Sequence, residues 1–224
     1  KQLDIQITQI EELLKEFVEY WSALDIDIVS GWNSESFDIV YLIKRIVHVF
    51  GEEYAKNLSP WKIINTKKTK NDYGKEITLF DIVGISQLDF LLLYKKFSQN
   101  EAENYKLDYI ANLELDDKKV EYDCSFRELY TKHYDLFTKY NIHDVRLVGL
   151  LEKKLGFIAL ACTMLYRAKV TAPDVFTTVR IWDVIITNYT ADRNIFVPAF
   201  LSDNSSAGSY GGGYVKETIV GFFK

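Results

Sequence analysis

Cysteine is nearly absent from this 224-residue chain: Cys124 and Cys162 stand far apart with no C-x-x-C pairing. That argues against a disulfide framework or a cysteine zinc site and fits a reducing compartment. Proline is limited to three residues and glycine to eleven, so no long low-complexity linker is expected. The one soft stretch is 201–213, rich in Ser, Gly and Asn. No run of about 18 apolar residues occurs, which gives no expected membrane span. Residues 1–6 carry neither a basic n-region nor an apolar h-region, and no methionine opens the chain. No signal peptide is expected, and the chain reads as the middle of something longer or as a processed piece. Positive charge is also short: 27 Lys and Arg face 32 Asp and Glu, for a net charge of −5. Free-standing nucleic-acid binders are usually basic. Carboxylates that hold metal ions would lower the sum without excluding DNA, and local charge matters more than the total. His48, His133 and His143 lack metal-ligand spacing and read as structural or surface residues.

What is abundant is apolar surface. Hydrophobic residues make up 48% and aromatics 15%, enough for one good-sized packed domain, or one plus a fragment. Ile10, Leu13, Leu14, Phe17, Val18 and Trp21 fall at helical spacing and predict a helix over 9–24. The β-branched run 26–30 predicts a buried strand ending at Gly31. Ser36 is a candidate N-cap for a helix over 37–50, with Gly51 just past its end. Around Asn71-Asp72-Tyr73-Gly74, two strand-like arms predict an extended hairpin over 61–79, with 78–85 continuing as a core strand. Helices are expected over 88–97, 107–113, 126–140 and 179–189. Asn141 is a candidate N-cap of a long helix reaching about Lys169, with Val148, Leu151, Leu155, Ile158, Cys162 and Leu165 as its core stripe. Residues 211–220 read as glycines followed by a strand.

Two constellations carry chemistry. In Gly31-Trp32-Asn33-Ser34-Glu35-Ser36-Phe37-Asp38, a strand ends, the chain turns, and Asp38 falls in the first turn of the next helix. Open α/β sheets place sites at such carboxyl ends, although acids are favoured in the first turn of any helix. In Tyr140-Asn141-Ile142-His143-Asp144, Asp144 lies four residues before Val148 and shares its face. A carboxylate aimed along a core face needs a partner, and a metal is one candidate. The alternative is a capping box of Asn141 with Asp144.

Taken together, W-N-x-x-x-F-D-x-x-Y followed about a hundred residues later by Y-x-x-x-D resembles the second and third exonuclease motifs of family B DNA polymerases. Further stretches resemble the replicative polymerases of T-even-like bacteriophages: Asn57-Leu58-Ser59-Pro60, Leu92-Leu93-Tyr94-Lys95-Lys96-Phe97, Leu107-Asp108-Tyr109-Ile110, Ile181-Trp182-Asp183 and Val215-Lys216-Glu217. The resemblance covers nearly the whole chain. Val40 departs from it, standing where the family commonly has proline.

The resemblance implies an α/β, partial ribonuclease H-like 3′→5′ exonuclease domain over 1–170, with extra helices and a β-hairpin. It implies a connection toward the polymerase regions over 171–224. Asp38 and Asp144 would be two of four carboxylates binding two Mg²⁺ or Mn²⁺ ions. Tyr140 would orient the attacking water, and Asn33 and Phe37 would contact the single-stranded primer end. The hairpin lysines, Lys67, Lys68 and Lys70 among them, would lie near the primer–template junction, where a plain basic strand edge is the other reading. Tyr210-Gly211-Gly212-Gly213 resembles the Y-x-G-(G/A) motif, so Tyr210, Gly212 and Gly213 would approach DNA, against the alternative of a flexible loop. The family's D-x-E motif, which supplies the other two carboxylates, should lie upstream. Asp25-Ile26-Asp27 does not match it, being in the wrong place and without the Glu. The metal site is therefore expected to be incomplete and the chain inactive alone. Its expected partners are primer–template DNA, the remaining polymerase polypeptide or a second copy of the chain, with no membrane. Its expected location is the cytoplasm of an infected bacterium. A non-catalytic DNA-binding or assembly module, one part of a split polymerase, is the rival reading.

Overall fold

Of the apolar positions between Ile10 and Trp21, Leu14, Phe17, Val18 and Trp21 meet the core from α1 (Gln2–Ala23), while Leu13 is exposed; the helix begins earlier than its periodicity predicts. Val18 is buried there, with Leu14, Phe17 and Trp21 packed around it. The Trp21 indole donates to the Leu58 carbonyl at 2.9 Å, fixing α1 on the 3-10 turn Lys56–Leu58. The computed structural model describes residues 2–70, 74, 76–99, 101–115 and 126–196. The expected hairpin turn at Asn71-Asp72-Tyr73 and the glycine-strand segment at 211–220 lie outside them.

Strand β1 (Ile28–Val29) is short and pairs in parallel with β4 (Ser86–Gln87). Between them come α2 (Asp38–Phe50), α3 (Glu52–Ala55) and an antiparallel hairpin of β2 (Ile64–Lys70) and β3 (Glu76–Ile82). Ile39, Ile43 and Ile46 of α2 are buried at steps of four and three, so one stripe of the helix meets the core with Val18, Leu58, Ile82 and Ile85. The hairpin is held at its base by Ser59. The Ser59 hydroxyl donates to Val83 O at 2.6 Å and accepts from the amides of Trp61 and Ile63, both at 3.1 Å. Strand β3 stops at Ile82 rather than running on to Ile85. Gly84 turns the chain there with a φ of +96°, and a Cβ on it would stand 2.6 Å from Pro60 Cγ.

The remaining elements build a second body of core. They are α4 (Phe90–Phe97), α5 (Leu107–Leu115), α6 (Phe126–Lys132), α7 (Tyr134–Leu155), α8 (Phe157–Ala168), a 3-10 turn Ala172–Phe176 and α9 (Thr178–Ala191). Phe90, Tyr94, Leu107, Ile110, Ala111, Leu147 and Leu151 form one buried cluster. Two expectations are corrected here. Asn141 caps nothing: it lies inside α7, and its side-chain amide donates to Phe137 O one turn back at 2.8 Å. Nor does one helix reach Lys169, because Gly156 adopts a left-handed φ of 66° and ends α7. Glu152 then accepts from the amides of Ile158 and Ala159, satisfying the start of α8.

The chain divides into two compact units, 1–186 and 187–224. In the second, the Arg193 guanidinium lies 3.6 Å from the centre of the Tyr189 ring. Among the described residues, no helix is long and apolar enough to cross a membrane.

Candidate functional site

The parallel pair sets the first part of the site. Ser86 N donates to Asp27 O at 2.8 Å, Leu88 N to Val29 O at 2.9 Å and Phe90 N to Gly31 O at 2.9 Å. The ladder thus continues past β1 and keeps the departing chain beside the start of α4. Trp32 turns into the second core cluster, where its indole donates to Tyr105 O at 3.1 Å and its ring lies 6.3 Å from that of Phe90. Asn33 follows with φ 63°, a conformation asparagine tolerates better than most residues. The Ser36 hydroxyl donates to Asn33 Oδ1 at 2.6 Å, so Ser36 braces the loop and is not the expected cap. Phe37 occupies the cap position with no side-chain hydrogen bond, and its ring is 66% exposed. Asp38 opens α2 and faces solvent.

One residue here had no place in the sequence reading. Asp89, the N-cap of α4, is buried. Its Oδ1 accepts from Leu91 N at 2.9 Å and Asn33 N at 3.1 Å, and its Oδ2 from Glu35 N at 3.0 Å. An aspartate just before an apolar helical run is a recognisable capping signal, but nothing local announces its two long-range donors.

The loop is acidic. Burial pushes the Asp89 carboxyl up, against the pull of the amides of Glu35, Asn33, Leu91 and Leu92. Glu35 is pushed up by burial and then by Asp89, while Lys67 pulls it down. Asp38 is raised by desolvation, with its own amide opposing and the Asp89 charge adding. Lys67 and Glu35 also line one cleft of about 850 Å³, together with Asn65, Asp81 and Phe176.

Other candidate residues lie on α7. Tyr140, Asp144 and Val148 succeed one another at single helical turns, so they share a face. Tyr140 and Asp144 are half-buried, and Asp144 Oδ1 is shielded from solvent. Leu147 and Leu151 of the same helix are fully buried. Of the hairpin lysines, Lys67, Lys68 and Lys70 are exposed on β2. Lys67 points to one face of the ribbon and Lys68 and Lys70 to the other. Tyr210, Gly212 and Gly213 lie outside the described residues.

Asp38 and Asp144 are hard oxygen donors of the kind Mg²⁺ and Mn²⁺ take. The donor type fits a divalent ion. Among the described residues, no group of three or more His, Cys, Asp or Glu could hold a metal ion.

A sequence profile of the DNA polymerase family B exonuclease domain matches residues 5–110. The chain belongs to the family B DNA polymerases, and its matched portion is exonuclease domain. Within the family it is similar to phage enzymes. It is 40% identical over 216 residues to the DNA-directed DNA polymerase of Escherichia phage RB69, covering 96% of this chain and 23% of that protein. Against the DNA-directed DNA polymerase of Enterobacteria phage T4 the identity is 31% over 212 residues, covering 95% and 22%. The DNA polymerase catalytic subunit of Human herpesvirus 6B is 26% identical over 227 residues, covering 95% and 22%. The chain thus spans less than a quarter of the length of these relatives.

Proposed function

We propose that this chain serves the 3′→5′ proofreading step of a DNA-directed DNA polymerase, contributing part of the exonuclease site and being inactive alone. The observation that carries the reading is the loop 31–38. It leaves the parallel pair at its carboxyl end and presents an exposed Phe37 beside an exposed Asp38. In this reading the domain is ribonuclease H-like over 1–170, and 171–224 leads toward the polymerase regions.

Asp38 and Asp144 would hold Mg²⁺ or Mn²⁺ with carboxylates from the remaining polypeptide. Bound divalent ions supply Lewis-acid chemistry for phosphodiester hydrolysis. The protein's own groups do the positioning. Phe37 packs on a base or sugar of the unpaired primer end, and Asn33 contacts the same strand. The Tyr140 hydroxyl, one turn from Asp144, orients the attacking water. Lys67, Lys68 and Lys70 meet phosphates without reading sequence. Tyr210, Gly212 and Gly213 approach the DNA farther along. The edge of β1 that carries no strand among the described residues receives the remaining polypeptide or a second copy, since an unpaired edge is unfavourable. The setting is the cytoplasm of an infected bacterium.

The test is degradation of a 5′-labelled single-stranded oligonucleotide with Mg²⁺ or Mn²⁺, wild type beside Asp144→Ala. No degradation by the chain alone is expected, with rescue when a polypeptide carrying the D-x-E motif is added, and no rescue of Asp144→Ala. Degradation by the chain alone that Asp144→Ala abolishes would overturn the claim of an incomplete site. Equal rescue of both proteins would remove Asp144 from the mechanism.

A further inference from the structure

We infer that Asp89 is a positioning residue for the primer-end loop, an inference that rests on the proposed role of Asn33, Phe37 and Asp38. A helix N-cap needs one side-chain oxygen for one or two amides of its own first turn. Asp89 does that for Leu91 with Oδ1, and then reaches back 56 residues to Asn33 N and 54 residues to Glu35 N. It is only 2% exposed. Burying a carboxylate is costly unless donors compensate it, and two of the main-chain amides that bond it belong to the loop.

The bonded loop amides lead directly into the site. Phe37 N donates to Asn33 O at 3.2 Å and Ile39 N to Ser34 O at 2.9 Å. The turn that Asp89 grips is therefore the turn that winds into the start of α2. Where Asn33 and Glu35 sit decides where the Phe37 ring and the Asp38 carboxylate emerge. Asp89 touches no substrate in this arrangement and acts through the loop.

Two substitutions separate this role from plain helix capping. Asn and Ser are N-caps about as good as Asp. Asp89→Asn can still accept from Leu91 N through Oδ1, but its amide group faces the Glu35 N–H donor to donor. Asp89→Ser keeps a cap, but its one short oxygen cannot serve the loop. Amide hydrogen exchange of the full chain, read residue by residue, should show exchange at Asn33 and Glu35 accelerated at least about ten-fold in the variants, with Leu91 still protected. Anisotropy of a labelled single-stranded oligonucleotide should report binding weakened about ten-fold, the size of losing one base–aromatic stack. Phe37→Ala, measured alongside, gauges the site itself.

Unchanged exchange at Asn33 and Glu35 in whichever variant folds would overturn the tether. Loosened amides with wild-type binding, while Phe37→Ala weakens binding, would overturn the positioning role and leave the site reading standing. Binding indifferent to Phe37→Ala and to Asp38→Asn would remove the site reading, and the positioning role with it.

Discussion

Asp38 answers to two opposing demands. In the proposed role of metal ligand it would have to be ionised at neutral pH, yet desolvation and the Asp89 charge raise its pKa above the ordinary 3.8. A raised folded-state value means the folded protein holds the proton more tightly than the unfolded chain. The favourable contribution is complete below the ordinary value and is lost as pH rises through the folded one. Glu35 and Asp89 are shifted the same way. At neutral pH the folded state therefore carries a charge it disfavours, and a cation is what would relieve it. Asp38→Asn is expected to melt at or slightly above wild type at neutral pH, with the difference shrinking in mild acid. A scan of thermal melting against pH checks this, and a clearly lowered melting temperature at neutral pH would contradict it. That Trp32, Phe37 and Asp38 share one loop was legible in the sequence because they fall within one short motif. Asp89 was not, because its loop partners lie more than fifty residues away and no local pattern encodes them.

At the scale of elements, the sequence announced the hairpin and most helices through periodicity and turn residues, and it misled where one residue type serves two ends. Asn141 with Asp144 three residues on has the composition of a cap, but asparagine also bonds back to the preceding turn of a running helix, as it does to Phe137 O. The apolar stripe from Val148 to Leu165 continues at the right steps across Gly156, so periodicity alone did not reveal the break. The hairpin's orientation depends on a residue that periodicity does not weigh at all. Ser59 is fully buried and ties Val83 O, Trp61 N and Ile63 N to one hydroxyl, beside the backbone bond from Val83 N to Ile63 O at 3.1 Å. Ser59→Ala leaves those groups short of a partner and is expected to cost about 1–3 kcal/mol. Chemical denaturation gives that figure, and hydrogen exchange should place the loss at Val83 and Ile63. An unchanged midpoint would show that water replaces the hydroxyl without cost.

For the whole molecule, the sum of charge is a poor guide to what it binds. The net −5 repels a polyanion at long range, while three exposed lysines are gathered on β2. Salt separates the two effects. Each phosphate neutralised on a single strand contributes about 0.7 to the slope of log affinity against log salt. If Lys67, Lys68 and Lys70 meet phosphates, replacing all three by alanine should weaken oligonucleotide binding and flatten that slope by up to about 2. Lys67 stands apart from the other two, because it faces the opposite side of the ribbon and lowers the Glu35 pKa. Its loss should release Glu35 to rise further, so Lys67→Ala alone should make binding more pH-dependent than Lys68→Ala does. Anisotropy titrations over a range of salt and pH read both effects. A weaker affinity with an unchanged slope would mean that the lysines shape the hairpin without touching the strand. An unchanged affinity would return the hairpin to the role of a basic edge that discourages aggregation.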